Sequence, residues 1–291
     1  MIEEVAIIGA GGKMGYWFSK YFDKKGVRVS AYDIDVTSLK PSNNMTIYEN
    51  FSECVETADL VLVCVPVKNT PSATKKCASK MKSGAILAEI SSLKHQSFKT
   101  LEKISTDIKP LCIHPMFGPG TIDIKQMKIL LVPVKNEENE LKILNDIFEG
   151  AIITVIPDAN IHDELIAIVL GLTHYVNIIF ASFLSQENHS YLKKVSGTTF
   201  GVQSLLSESI LTEDPNLIID LLMNNPTVRK HIQKYLREAN KVARLIFDED
   251  DVKLKTKFVK IRSLLQERQN LEVSYKRKYN IIEKLKTLDS L

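Results

Sequence analysis

A doubly wound parallel α/β sheet followed by an all-helical domain is the architecture this sequence predicts. Three observations predict it. Up to Pro157, short apolar runs alternate with segments of helical period. A glycine-rich loop joins the first apolar run to the first helical segment. After Pro157 no segment has convincing strand character. Strands alternating with helices of this length imply a parallel sheet covered on both faces. The predicted domains are therefore 1–157 and 158–291.

The elements follow in order. Glu4–Gly9 (EVAIIG) is a short apolar strand, and Lys13–Lys25 has a helical period closed by Gly26. Val27–Asp33 alternates as a strand does. Asp59–Pro66 (DLVLVCVP) is almost continuously apolar, as expected of a strand covered on both faces. Thr70–Met81 reads as a helix ended by Ser83-Gly84, Ala85–Ile90 as a strand and His95–Ile104 as a helix. Pro110–Ile113, Lys128–Val134 and Ile152–Ile156 are three further strands. Asn160-Ile161-His162-Asp163 opens a long apolar helix, and more helix is predicted over 187–210, 214–224, 226–247 and 251–288. Pro215 and Pro226 suit first helical positions, where the missing N–H costs nothing. The acids Asp248, Glu249, Asp250 and Asp251 favour the start of the last helix.

Composition narrows the function class. The 291 residues are 44% apolar and 25% charged, an ordinary globular mix that excludes wholesale disorder. A net charge of +3 is too small to argue for nucleic acid. Residues 226–291 hold 17 basic and 9 acidic side chains, read as solvated helix faces. Cys54, Cys64, Cys77 and Cys112 include no C-x-x-C pair, and no His pair has metal-ligand spacing, so no metal site is expected. The opening residues MIEEVAIIGAGG run straight into a strand and do not resemble a signal peptide, so a cytoplasmic protein is expected. Leu165–Leu184 is long enough to span a bilayer and lacks charge, but it contains Thr173, His174, Asn177 and Ser182. It is read as a buried helix, in a core or an interface, rather than a membrane span.

The loop Gly9-Ala10-Gly11-Gly12-Lys13-Met14-Gly15 stands between strand and helix, the context of a Rossmann-type dinucleotide site. There glycines allow a tight turn and close approach of backbone to pyrophosphate, and the helix N-terminus supplies amide donors. Counted from Gly9, the third glycine comes one position late, so the loop is not the plain fingerprint. The second strand ends at Asp33, where a carboxylate can accept from ribose hydroxyls and repel a 2′-phosphate. NAD is therefore expected over NADP, with Asp35 as a nearby competitor for Asp33's role.

His114 heads the motif His114-Pro115-Met116-Phe117-Gly118-Pro119 beyond a strand, where open α/β sheets bind ligands. A His there is placed for proton transfer. The motif resembles the prephenate and arogenate dehydrogenases of tyrosine biosynthesis. The late-glycine loop, Asp59–Val67 (DLVLVCVPV), Ser91-Ser92-Leu93-Lys94, His162-Asp163 and Gly171-Leu172-Thr173-His174 are similar to stretches of that family in the same order. Together they cover residues 5–175; the helical remainder is similar in pattern.

The resemblance implies an oxidoreductase with a small-molecule substrate, prephenate or a relative, dimerising through its helical domain. It implies that His114 is the catalytic base toward the ring hydroxyl, that Ser92 orients that hydroxyl, and that His174 is a second active-site His. Gly9, Gly11, Gly12, Lys13, Met14 and Gly15 would form the pyrophosphate loop, and Val65-Pro66 would pass the nicotinamide ribose. One departure stands out. The family's carboxylate-clamping Arg aligns with Gly201, and no Arg occurs from 29 to 228. Another cation such as Lys193, Lys194 or Arg229 substitutes, or the substrate carries different charge, as arogenate does, or the dinucleotide binds and the reaction is lost.

Overall fold

The computed structural model describes residues 2–105 and 107–288 and divides into two compact units. The first is Met1–Ala167 with Met223–Asn225, and the second is Ile168–Leu222 with Pro226–Leu291.

The first unit is built on an eight-stranded sheet. Its strands are β1 (Glu4–Ile8), β2 (Arg28–Tyr32), β3 (Met45–Ile47), β4 (Leu60–Val63), β5 (Ile86–Glu89), β6 (Lys109–Pro115), β7 (Lys128–Val132) and β8 (Ile152–Val155). They lie in the order β3-β2-β1-β4-β5-β6-β7-β8. The order reverses between β1 and β4, so the carboxyl ends of these strands flank the crevice where such sheets bind ligands.

Two features depart from the sequence reading. The sheet is not wholly parallel, because β6 and β7 pair antiparallel, with His114 opposite Leu130. A parallel return needs a long crossover, usually a helix, and residues 116–127 contain Gly118-Pro119-Gly120 and no helix. The strand Met45–Ile47 was not foreseen, since three half-exposed residues give no readable alternation.

Helices cover both faces. They are α1 (Lys13–Lys24), α2 (Phe51–Glu56), α3 (Thr70–Ala78), α4 (His95–Leu101), α5 (Glu137–Ile147) and α6 (Ala159–Ile166). The sequence reading missed α2 and α5. Both have side-chain caps, Asn50 accepting from the Ser52 N–H and Asn136 from the Asn139 N–H. The strand period of two splits the core cleanly. Val5, Ile7, Leu60 and Leu62 enter one apolar cluster with Phe18 and Phe22 of α1. Ala6, Ile8, Val61 and Val63 enter the other with Cys54 and Cys77.

The second unit is helical. It contains α7 (Thr173–Leu184), α8 (His189–Val195), α9 (Thr198–Ile210), α10 (Pro215–Met223, whose last residue falls in the first unit), α11 (Pro226–Phe247), α12 (Asp251–Gln266) and α13 (Leu271–Leu288). Pro215 and Pro226 do open helices, and Asp250 caps α12 through the Lys253 N–H at 2.9 Å. The stretch read as continuous over 187–210 breaks at Ser196-Gly197, where the backbone is extended. That read over 251–288 breaks before Asn270, which accepts from the Glu272 N–H at 3.0 Å to start α13. Between α7 and α9, Asn177 Oδ1 accepts from Gln203 Nε2 at 3.0 Å and from the Ser207 hydroxyl at 2.9 Å.

The long apolar helix runs over Ala159–Leu184, with a widened π-type stretch at Ala167–Leu172. It is long and apolar enough to cross a membrane, and 28% of its most apolar stretch is buried within the chain. Of the two places read for it, a core or an interface, the core alone does not account for it: Ile168, Val169, Ile179 and Phe183 remain exposed.

Candidate active site

The nucleotide loop is set by sterics. Gly9 has φ +88°, a conformation that L side chains rarely adopt, and a Cβ there would meet the Cys64 carbonyl and Val65 Cγ1 of the β4 end. A Cβ on Gly15 would drive into the Gly9 carbonyl, and one on Gly11 into Ser38. The cap of α1 is Gly12, which offers no side chain to the opening amides. A tight turn, close backbone approach and an uncapped helix start fit a pyrophosphate group. Lys13 and Met14 form the first turn, and Val65 and Pro66 line the neighbouring β4 end.

The two candidate acids separate. Asp35 caps a one-turn helix, its Oδ1 accepting from the Thr37 N–H at 3.1 Å and hydroxyl at 2.6 Å. Asp33 stands at the end of β2, with Oδ2 accepting from the Gly11 N–H at 2.9 Å. It therefore ties the acid position to the glycine loop. We expect Asp33→Ala to weaken NAD binding and to reduce the preference for NAD over NADP. Titration calorimetry with both dinucleotides checks this; unchanged discrimination would assign the role elsewhere.

The second cluster lies at the ends of β5 and β6. Glu89 closes β5 and Lys94 precedes α4, and both side chains are fully buried. Lys94 Nζ donates to Glu89 Oε1 at 2.7 Å and to the Ile113 carbonyl. The Ser91 N–H and the Cys112 thiol also donate to Glu89, at 2.8 and 3.0 Å. Burial, first, and the adjacent Glu89 carboxylate push the Cys112 thiol well above its ordinary pKa, so it stays protonated. Ser92 is half-buried in the bend between these elements.

His114 lies near the end of β6 and is buried. Its Nδ1 is 3.1 Å from Nε2 of His162 on α6, and the two rings are tilted at 52°. His162 Nδ1 is 2.8 Å from Asp163 Oδ1. The Lys94 and His95 N–H groups, at the start of α4, donate to the two Asp163 oxygens at 2.8 and 3.1 Å. Burial, the neighbouring His162 and the Lys94 charge hold His114 well below its ordinary pKa. Burial also lowers His162, against the opposing pull of Asp163. His114 is therefore a neutral imidazole at physiological pH, the form able to accept a proton.

His174 lies in the second unit on α7. Its Nδ1–H donates to the Leu170 carbonyl at 2.6 Å, and its Nε2 is 3.6 Å from Glu213 Oε2. Gly201, the position the resemblance matches to a carboxylate-clamping Arg, is exposed on α9 with open space beside it. The alternative cations Lys193, Lys194 and Arg229 are all exposed. Among the described residues no cluster of metal-binding side chains occurs.

Sequence reasoning singled out His114, Ser92 and the glycine loop but gave no role to Glu89, Lys94, His162 or Asp163. A signal was present: Lys94 and the His162-Asp163 pair lie inside the quoted motifs. Their roles depend on contacts 48 and 69 residues apart, which no spacing rule reports.

The family model for the prephenate dehydrogenase nucleotide-binding domain matches residues 18–156. That for the prephenate dehydrogenase dimerization domain matches 158–260. A probable arogenate/prephenate dehydrogenase of Methanocaldococcus jannaschii is 27% identical over 256 residues, 84% of this chain and 57% of the relative. The T-protein of Haemophilus influenzae is 21% identical over 225 residues, 77% of this chain and 56% of that protein. The chain thus spans little more than half the length of these curated relatives. The fold is that of the Aquifex aeolicus prephenate dehydrogenase solved with hydroxyphenyl propionate and NAD+. The TM-score is 0.72 at 21% identity, covering 92% of this chain and 99% of that one. Synechocystis arogenate dehydrogenase is similar at TM-score 0.65 and 14% identity, over 91% and 100% of the two chains. With matched domains running nearly end to end from 18 to 260, the chain belongs to the prephenate dehydrogenase family.

Proposed function

We propose that this protein is an NAD-dependent dehydrogenase that converts prephenate to 4-hydroxyphenylpyruvate and carbon dioxide. The observation that carries the reading is a buried, neutral His114 at the carboxyl edge of the sheet whose glycine loop and Asp33 suit NAD. The residues that would hold the dinucleotide are Gly9, Gly11, Gly12, Lys13, Met14 and Gly15, with Asp33 toward the ribose and Val65-Pro66 toward the nicotinamide. When bound, NAD supplies the hydride acceptor.

His114 takes the ring hydroxyl proton as the hydroxyl carbon gives up its hydride. Ser92 orients that hydroxyl, and His174 is proposed as the second histidine of the site. The ketone formed is conjugated through the ring to the carboxylate-bearing carbon. Loss of carbon dioxide then delivers its electron pair to an aromatic ring. Little new charge needs stabilising, so the protein's task is to align hydroxyl, nicotinamide and base.

The missing Arg favours a second reading in the same class. Arogenate carries an ammonium where prephenate has a ketone, so its net charge is less negative and a guanidinium clamp matters less. NADH formation with prephenate and arogenate in parallel tests both. Turnover of one ring, lost in His114→Asn, is expected; no turnover by folded, NAD-saturated protein would overturn the activity.

The helical domain is proposed to dimerise. The dimerization-domain match and the exposed Ile168, Val169, Ile179 and Phe183 support this. A solution mass near twice 32.8 kDa at micromolar concentration is expected by light scattering, and a monomeric mass would refute it. We further propose domain boundaries of 1–157 and 158–291, and a cytoplasmic location.

A further inference from the structure

Besides the proposed base, the site contains two groups that the reaction so far leaves idle, His162 and Asp163. They form a directed chain with His114. Asp163 has both oxygens engaged by backbone donors, the Lys94 and His95 N–H groups, and cannot turn away. A carboxylate only accepts, so His162 must present Nδ1–H to Asp163 Oδ1 at 2.8 Å. A neutral imidazole has one N–H, so His162 Nε2 is then bare and can only accept. The group facing it at 3.1 Å is His114 Nδ1, which must therefore carry its proton. That leaves His114 Nε2 with its lone pair, outside this chain of bonds.

We propose that His162 and Asp163 are positioning residues that lock His114 in the Nδ1–H tautomer, so that its bare Nε2 faces the substrate hydroxyl, and that they share the proton it takes. The inference rests on the proposed reaction for its chemistry, and for the tautomer on the geometry together with a neutral His162, whose pKa burial lowers.

The proton balance suits a closed relay. The substrate O–H bond breaks, its proton forms a bond to His114 Nε2, and the O–H electron pair becomes the second carbonyl bond as hydride departs to NAD. The imidazolium is stabilised by passing its Nδ1 proton toward His162 Nε2, whose own Nδ1–H leans on Asp163. When the bond to the carboxylate breaks, its electron pair aromatises the ring and the carbonyl pair returns to oxygen. That oxygen takes the proton back from His114 Nε2. The proton is borrowed and returned, so no outlet to solvent is required, and His162 is fully buried. The charged groups acting on the pair are Asp163, on the helix of His162, and Lys94 and Glu89 from the β5–α4 side.

Imidazole nitrogen chemical shifts of the 15N-histidine-labelled, full-length protein test the tautomer without substrate. His114 is expected with Nδ1 protonated and Nε2 bare, and His162 likewise. In His162→Gln, His114 should lose that fixed tautomer, and kcat should fall by about 10²-fold, the scale of a misaligned reacting group, with NAD affinity unchanged. A wild-type His114 carrying its proton on Nε2 overturns the inference, whatever the variant does. Correct tautomers with no turnover of either ring would instead refute the proposed reaction and leave the inferred geometry standing.

Discussion

Replacing His114 by Asn is expected to lower the proposed turnover by about 10²–10⁴-fold, the usual contribution of a positioned general base. The loss should fall on kcat, because the glycine loop and Asp33 follow β1 and β2, on other strands than the substitution, and NAD affinity should be retained. The pH dependence follows from the same site. His114 must be neutral to accept a proton, and its pKa lies well below the ordinary 6.5 because it is buried beside His162 and Lys94. The proposed activity is therefore expected to stay flat on descending through 6.5 and to fall only on further acidification, toward the lowered value. Stability has a related slope. Both His114 and His162 are lowered in the folded chain, so the unfolded chain binds protons first as pH falls. Their stabilising effect is present above 6.5 and is lost as pH falls from there through the folded values. A pH–rate profile whose acid limb sits at or above 6.5, or a His114→Asn variant with unchanged kcat, would remove His114 from the role of base.

Much of this was legible before any coordinates, and the reason is local. Gly9, Gly15 and Asp33 act through a turn and a strand end, whose requirements appear within a few residues of sequence. The continuous apolar run at β4 announced a strand covered twice, and Leu60–Val63 is indeed buried on both faces. What stayed hidden was long-range or weakly patterned. The antiparallel turn of β7 depends on a short connection finding its register against β6. The helix α5 has three acids in its first turn and only a narrow apolar stripe, so charge masked its period. The long apolar helix is legible as a helix, but hydrophobicity alone does not say whether a core or an interface covers it. In the candidate site, His114 was found from its motif, whereas the partners that fix its state come from α4 and α6.

Lys94→Met is expected to destabilise the protein by about 3–5 kcal/mol, the cost of breaking a buried ion pair from one side. Neither side chain of the Lys94–Glu89 pair is exposed, and their atoms are 2.7 Å apart. Without the ammonium, Glu89 keeps, among the described residues, the Ser91 N–H and the Cys112 thiol as donors. Water cannot reach it to compensate, so the full desolvation penalty appears. Glu89→Leu should cost a similar amount, since it strands the ammonium instead. The double variant Lys94→Met/Glu89→Leu should recover part of the loss, because two apolar groups of similar size leave no buried charge unpaired, while the Ser91 N–H and the Cys112 thiol still lose their acceptor. Urea unfolding of the four proteins, with the slope held constant, gives the coupling between the two sites. Additive losses would show that the pair is not electrostatically coupled. The pair also bears on the site, because the ammonium holds the Ile113 carbonyl immediately before His114, while the Lys94 N–H holds Asp163. The double variant keeps the backbone N–H and loses the ammonium. Recovery of stability without recovery of kcat would therefore assign the Lys94–Glu89 pair a part in the chemistry, beyond its part in the fold.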